Sequence, residues 1–200
     1  MDLHEVPVHT LHPTQITVGM IEVREKIRAL NDMHVHEQRK YLEAHPMPAV
    51  RGADQRLYIT DHHHLARALW EAGVQHAYVY VEGELNFLAA TRFWQTMAEK
   101  HWAHPVDEHG ERRPYREIPH HVQQLRDDVY RSLAAFVREA GGFQKSPAPF
   151  AEFLWADWLR ARVPVGPTHA EFHEAVAKAV TLAHSEAAAA LPGYSGIRHA

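Results

Sequence analysis

Cysteine is absent from this chain, and that absence removes disulfide cross-links, thiolate metal ligands and cysteine nucleophiles together. Long apolar runs are missing too. None approaches the roughly 20 residues that a membrane-spanning helix needs, so no span is expected. The opening MDLHEVPVHTLHP has neither a basic stretch nor the apolar segment that directs secretion, which makes the cytoplasm the expected compartment. Lysine is scarce, at Lys26, Lys40, Lys100, Lys145 and Lys178 only, and the formal net charge is −4 with histidine neutral. A broad cationic surface for gripping long nucleic acid is therefore not favoured, although a small local anion site is compatible with that balance.

Histidine is what the chain has in excess, nineteen in 200 residues. Most are scattered, as at His4, His9, His34, His45 and His76, and a dispersed excess points to composition and surface placement rather than to nineteen functional groups. Hydrophobic content of 46% and charged content of 23% are those of an ordinary globular chain, so order is expected over most of it. The length suits one sizeable domain, or one domain with an appendage.

Residues 5–11 (EVPVHTL) alternate apolar and polar and read as a strand that ends at the His12-Pro13 turn. Residues 18–30 place Val18, Ile21, Val23, Ile27 and Leu30 at helical spacing, with Thr17 as N-cap. Residues 36–44 read as a second short helix, stopped by Pro46 and Pro48. Ala49-Val50 reads as a short strand, Gly52-Ala53-Asp54 as a turn, and 57–60 as another strand. From 63 to 72 the apolar positions Leu65, Ala68, Leu69 and Ala72 return to helical period, and Gly73 suits the residue after the helix. Residues 76–81 (HAYVYV) have strand composition, and 86–102 read as a helix. The stretch 105–125 is polar, is broken by Pro105, Pro114 and Pro119, and reads as a long loop or linker. Beyond it the pattern is helical: 128–140 ended by Gly141-Gly142, then 149–163, then 168–190, with an irregular tail. The expected fold is α/β (α+β): an α/β domain with a small mixed sheet over 1–104, a polar linker over 105–125 and a helical C-terminal subdomain over 126–200.

One stretch concentrates chemistry: YITDHHHLARAL, residues 58–69. Asp61 stands where a strand gives way to a helix, and it can cap that helix by accepting from N–H groups two or three residues on. A helix start also offers N–H donors and positive dipole character to an anion, and His62, His63 and His64 add ring donors. Successive helical residues rotate by about 100°, so three adjacent imidazoles cannot converge on one small ion; zinc-binding helices use i, i+4 spacing. Three readings stand on these residues alone: a cap with packed and solvated histidines, an anion or catalytic turn, and a metal site completed from elsewhere.

The strand–D-x-H-H–helix unit, running into ARALWEAGV and HAYVYV, resembles the signature turn of the ParB/sulfiredoxin-like superfamily. Members of that superfamily place D-G-H-H-R, G-E-R-R or G-C-H-R motifs at this junction to hold phosphates. The interval back from Gly73 puts Asp61 on the acidic position, His62 on the glycine, and His63 and His64 on the next two. More closely, the chain is similar to the ParB-like nuclease family through LHPTQ, VG and EV near the start, DHHHLARAL, and the later PFAEFLWADWLR. Leu65 replaces the superfamily arginine, leaving Arg67 or a remote basic residue to take its phosphate contact. The lack of cysteine excludes sulfiredoxin chemistry, and no helix-turn-helix segment supports a chromosome-partitioning role. A literal GERR at residues 110–113 is followed by Pro114 within polar sequence and is a chance match.

The resemblance implies an enzyme acting on a phosphate-containing substrate, by phosphodiester hydrolysis or phosphoryl transfer. It implies catalytic roles for Asp61, His63 and His64. Glu22 becomes the general base, because relatives that phosphorylate free serine use an early-domain glutamate; Glu25 is its near neighbour, and a solvated helix glutamate is the plain alternative. Ligand contacts are expected at His62, Arg67, Thr14 in the HPTQ loop, and Lys145 in the GGFQKSPAPF loop. The partner class is a small phosphorylated ligand or nucleotide, with which a divalent cation such as Mg²⁺ is compatible. No metal ligands are assigned to the protein. Phe150, Phe153, Trp155 and Trp158 form an aromatic face suited to core packing, and Asp157 suits an ion pair with Arg160 at i+3. Rival readings are a non-catalytic nucleotide-binding switch or partner-binding module, and a histidine-based metal-binding protein.

Overall fold

Strand, turn and helix signals alternate through the first half of the chain, and the computed structural model, which describes residues 2–52 and 55–196, turns them into a mixed α/β unit. The chain divides between Asp127 and Asp128 into two compact units. In the first, β1 (His4–Pro7) is followed by a 3-10 turn at Val8–Thr10, then β2 (Leu11–His12), β3 (Thr17–Val18), α1 (Met20–Asp32) and α2 (Val35–Ala44). Next come β4 (Met47–Arg51), β5 (Leu57–Ile59), α3 (His63–Glu71), β6 (His76–Glu84), α4 (Ala90–Glu99) and β7 (Arg126–Asp127). Five strands form one sheet in the order β1-β6-β4-β5-β2. β1 and β6 are antiparallel, β4 and β6 parallel, β4 and β5 antiparallel, and β2 and β5 parallel. β3 and β7 pair separately, in parallel.

The core lies where α1 and α3 pack together over the sheet. Val23 and Leu30 of α1, Leu65, Ala68 and Leu69 of α3, and Ile59 and Val79 of the sheet are each at most 3% exposed. Alanine at 66 and 68 keeps α3 close to its neighbours, and each buried Leu, Ile or Val contributes roughly 1.5–3 kcal/mol. A second cluster sets Phe93 and Met97 of α4 beneath Val50, with Tyr58, Trp94 and Tyr115 packed against it. Among the described residues, no helix is long and apolar enough to cross a membrane.

Several element boundaries differ from the pattern-based expectation, each for a local reason. The strand expected over 5–11 breaks at Val8–Thr10, after Pro7, whose missing N–H cannot extend the ladder. The first helix starts at Met20 rather than 18, with Gly19 rather than Thr17 as N-cap, because Thr17–Val18 pair with Arg126–Asp127. Its Met20 N–H is taken by the Asp127 carboxylate at 2.9 Å, a cap from far along the chain that local pattern cannot reveal. The helix expected over 86–102 is only Ala90–Glu99; His101 adopts a left-handed φ of 57° and Trp102 N–H closes on Met97 O at 2.8 Å. Of the turn expected at Gly52-Ala53-Asp54, Ala53 and Asp54 lie outside the described residues, while Gly52 N–H reaches Arg56 O at 2.8 Å.

Residues 105–125 pack into the first unit as a strap. Val122 and Leu125 belong to its core, and Ile118 is 5% exposed. Thin apolar content among polar residues gave no period to read, yet these side chains are enough to fasten the segment. Within it, the GERR stretch forms a turn: Asp107 accepts the N–H groups of His109 and Glu111, and Arg113 pairs with Glu117 at 2.9 Å. These N–H bonds, with Arg113 nearby, hold the Asp107 carboxyl below its ordinary pKa against the opposing effect of burial.

The second unit contains α5 (Val129–Glu139), α6 (Ala151–Arg160) and α7 (His169–Ala183), then a 3-10 turn at Glu186–Ala188. The aromatic face of α6 is core: Trp155 is fully buried, stacks on Phe143 at 4.2 Å and donates its indole N–H to Pro192 O at 2.8 Å. Arg160 pairs with Asp157 at 3.5 Å as its spacing suggests, but its shorter bonds, 2.7 and 3.2 Å, run to Asp128. The Asp128 side chain is 3% exposed and also caps α5 through Tyr130 N–H at 3.0 Å. Removing one partner of such a pair strands the other charge, so Asp128→Ala is expected to cost about 3 kcal/mol. Asp128→Asn, which keeps a cap acceptor, should cost less. Urea unfolding of both variants measures this, and a midpoint unchanged in Asp128→Ala would contradict it.

Candidate functional site

β5 ends at Ile59, and the next three residues make the turn into α3. Thr60 N–H bonds to Pro48 O at 3.0 Å, and its hydroxyl donates to Glu82, anchoring the turn on the sheet. Asp61 is exposed and accepts the N–H of the very next residue, His62, at 2.6 Å. This corrects the expectation that Asp61 caps α3 through N–H groups two or three residues on: the N-cap is His62, and its side chain makes no cap hydrogen bond. His62 has φ 62° and ψ 25°, a left-handed conformation that glycine adopts without cost. The resemblance gives this position to glycine, the residue for which this conformation is unstrained, and here a histidine adopts it.

His63 and His64 diverge, as helical rotation requires. His63 Nε2 accepts the backbone N–H of Thr14 at 3.1 Å; the Thr14 hydroxyl lies 3.3 Å from the same nitrogen and donates to Ile59 O at 2.8 Å. His64 Nε2 accepts the N–H of Gly19 at 2.9 Å. An N–H donor needs a lone pair opposite it, so these contacts place the proton of each neutral ring on Nδ1. Both rings are buried, and together they hold two ends of the loop that runs from β2 to α1. The back of that loop is held by the two residues that bracket the strap: His104 N–H donates to Thr14 O at 2.9 Å and Arg126 N–H to Ile16 O at 3.0 Å.

Glu22, on the first turn of α1, brings a carboxylate oxygen to 3.3 Å from His64 Nε2 and pairs with Lys26 Nζ at 3.3 Å through its other oxygen. Its side chain is 12% exposed, whereas the neighbouring Glu25 faces Arg28 on the surface. Of the two glutamates, only Glu22 meets the turn. His64 Nε2 thus faces two groups with opposite demands: Gly19 N–H requires a lone pair, while an ion pair with Glu22 requires a proton on the same atom. One nitrogen cannot satisfy both at once.

The remaining expected ligand contacts are distributed differently. Arg67 sends its guanidinium to Leu125 O at 2.6 Å and to Glu71 at 2.7–2.8 Å, fastening the strap to α3. Thr14 is buried beside His63. Lys145 is exposed and belongs to the unit that begins at Asp128. Gly19 and Lys26 were not singled out as site residues; Lys26, four residues after Glu22, was legible as an ion-pair spacing, but Gly19 acts through its backbone. His12, just before the loop, packs on Tyr58 with centroids 5.2 Å apart, and burial followed by nearby Arg56 pushes its pKa down. Among the described residues, no group of three or more His, Asp or Glu is placed to hold a metal ion.

Comparison with known proteins places these residues in context. The family model described as "Putative ParB-like nuclease" matches residues 4–161. Protein Atu1540 from Agrobacterium tumefaciens, a crystal structure, is 37% identical over 98% of each chain, with a TM-score of 0.91. The C-terminally truncated chromosome-partitioning protein ParB from Caulobacter crescentus, complexed with CTP-gamma-S, is 10% identical with a TM-score of 0.35, covering 93% of this chain and 94% of that one. The search of curated proteins gives no match.

Two stability effects of opposite sign follow from the turn. His63→Ala or His64→Ala leaves a buried backbone N–H, of Thr14 or Gly19, without that acceptor, and each should lower the unfolding free energy by about 1–3 kcal/mol. Urea midpoints equal to wild type would show that these bonds do not hold the loop. His62→Gly relieves the left-handed backbone and should raise stability by up to about 1 kcal/mol. A fall in its thermal midpoint would mean that the His62 side chain outweighs the strain.

Proposed function

The chain belongs to the ParB-like nuclease family, and from that premise we propose that its Asp61–His64 turn acts on a phosphate-containing substrate, by phosphodiester hydrolysis or phosphoryl transfer. The observation that supports this most directly is the meeting of Glu22 and His64, from separate helices, at 3.3 Å beside the start of α3. A helix start favours a phosphate group through its N–H donors and dipole. Asp61 and His62, the accessible residues of the turn, are the groups that would meet the substrate. His63 and His64 set the position of the turn, and Glu22 is the base.

In this reading, Glu22 takes the proton from water or a substrate hydroxyl as that oxygen attacks phosphorus. The bond from phosphorus to the leaving oxygen breaks, and the leaving oxygen takes a proton from solvent. Lys26 balances the Glu22 charge before transfer, and the carboxyl is neutral after it, while His64 stays bonded to Gly19 N–H. An exposed carboxylate such as Asp61 is also the kind of oxygen ligand that a hydrated Mg²⁺ arriving with a nucleotide takes, and such an ion would supply charge neutralisation to the phosphates. The net charge of −4 favours a small phosphorylated ligand over long nucleic acid.

One observation favours a second reading, a nucleotide-binding switch without turnover. Both His63 and His64 spend Nε2 on backbone N–H groups of the β2–α1 loop, so an anion that moved the turn would move that loop. Glu22→Gln separates the two. As an enzyme, the variant should keep ligand binding and lose about 10²–10⁴-fold in turnover. As a switch, it should keep both binding and downstream response. A thermal-shift panel of nucleotides, phosphorylated metabolites and short oligonucleotides identifies the ligand, and phosphate release or ³¹P spectra read turnover. If no phosphorylated compound shifts the wild type, or if Asp61→Asn responds identically, the turn does not bind phosphate.

A further inference from the structure

The helical unit carries two histidines at the spacing that three adjacent ones cannot supply. His169 and His173 stand one turn apart on α7, both exposed, with their Nε2 atoms 3.1 Å from each other and ring centroids 4.3 Å apart. Two imidazole nitrogens this close share one proton: one ring donates its Nε2–H and the other accepts. A metal ion of borderline softness can take the place of that proton. Each neutral ring then carries its own proton on Nδ1 and offers the Nε2 lone pair. With metal–nitrogen distances of about 2.0–2.1 Å, two ligand nitrogens sit about 2.9 Å apart at a right angle and about 3.4 Å apart at the tetrahedral angle. The observed separation falls between these limits.

The pair is also held in place before any ion arrives. Thr168 and Glu171 form a reciprocal capping box, with Thr168 N–H donating to Glu171 at 2.9 Å, and this fixes the first turn of α7 from which His169 projects. The His173 ring packs edge-to-face against Phe172 and Phe136 at 6.0 and 6.4 Å. Restricting both rings in advance lowers the entropy lost on chelation. We propose that His169 and His173 form a two-histidine chelate for a divalent transition-metal ion of the Zn²⁺, Cu²⁺ or Ni²⁺ type. Neutral imidazole pairs suit these ions and not Mg²⁺ or Ca²⁺, which take oxygen ligands. No third His, Asp or Glu joins the pair among the described residues, so the other coordination positions are open to water or to a ligand from outside the chain.

The test uses the full chain without a histidine tag. ZnCl₂ and CuCl₂ are titrated calorimetrically into wild type, His169→Gln, His173→Gln and, as a control, His36→Gln, an exposed residue of α2. Wild type and His36→Gln should share a one-to-one site, and each α7 variant should bind about tenfold more weakly or worse, because one ligand of a chelate is gone. Sub-stoichiometric Cu²⁺ added to the wild type should broaden the imidazole signals of His169 and His173 before those of the other histidines. Retained affinity in both α7 variants, first broadening elsewhere, or no heat of binding with either ion would each overturn the proposal.

Discussion

Two backbone N–H groups, those of Thr14 and Gly19, end on the Nε2 atoms of adjacent histidines, and the geometry of the candidate site depends on that pairing. Buried N–H groups must find acceptors, and here the acceptors come from the first turn of a helix 45–49 residues further along the chain. The bonds set the β2–α1 loop against the β5–α3 turn. They also hold Gly19, the N-cap of α1, three residues before Glu22. Without them, Glu22 would be one helix glutamate among several; with them, it meets His64.

The same economy explains the polar stretch after α4. Its backbone supplies donors to Thr14 and Ile16, its Asp127 caps α1, and its Leu125 carbonyl receives Arg67. A few buried apolar side chains, Ile118, Val122 and Leu125, hold it in place. The strap therefore braces the loop from behind while the histidines hold it in front. Arg67 takes part in this bracing, two residues after the Leu65 that stands where the resemblance expects arginine.

Elsewhere, adjacent and periodic histidines behave in opposite ways. At the start of α3, His63 and His64, neighbours in sequence, point to different backbone partners. On α7, neighbours in space bring two nitrogens within 3.1 Å. The difference is the helical repeat of about 3.6 residues, which separates side chains at i, i+1 and superposes those at i, i+4.

Much of the architecture was readable in advance. Period 3.6 over residues 63–72, β-branched and aromatic alternation over 76–81, and Gly73 as a helix stop located α3 and β6, and the D-x-H-H junction located the turn. The reading of His62 as the residue in a glycine position was sharpened by its φ of 62°. What local pattern could not supply were bonds between distant segments: Asp127 at the N-terminus of α1, Arg67 on the strap, and Asp128 rather than Asp157 as the main partner of Arg160. The sequence by itself determined the periodic elements, because hydrophobic spacing and turn residues act over a few positions. Only the tertiary structure decided which glutamate meets His64 and which backbone groups the histidines hold, because those contacts are set by packing between residues tens of positions apart.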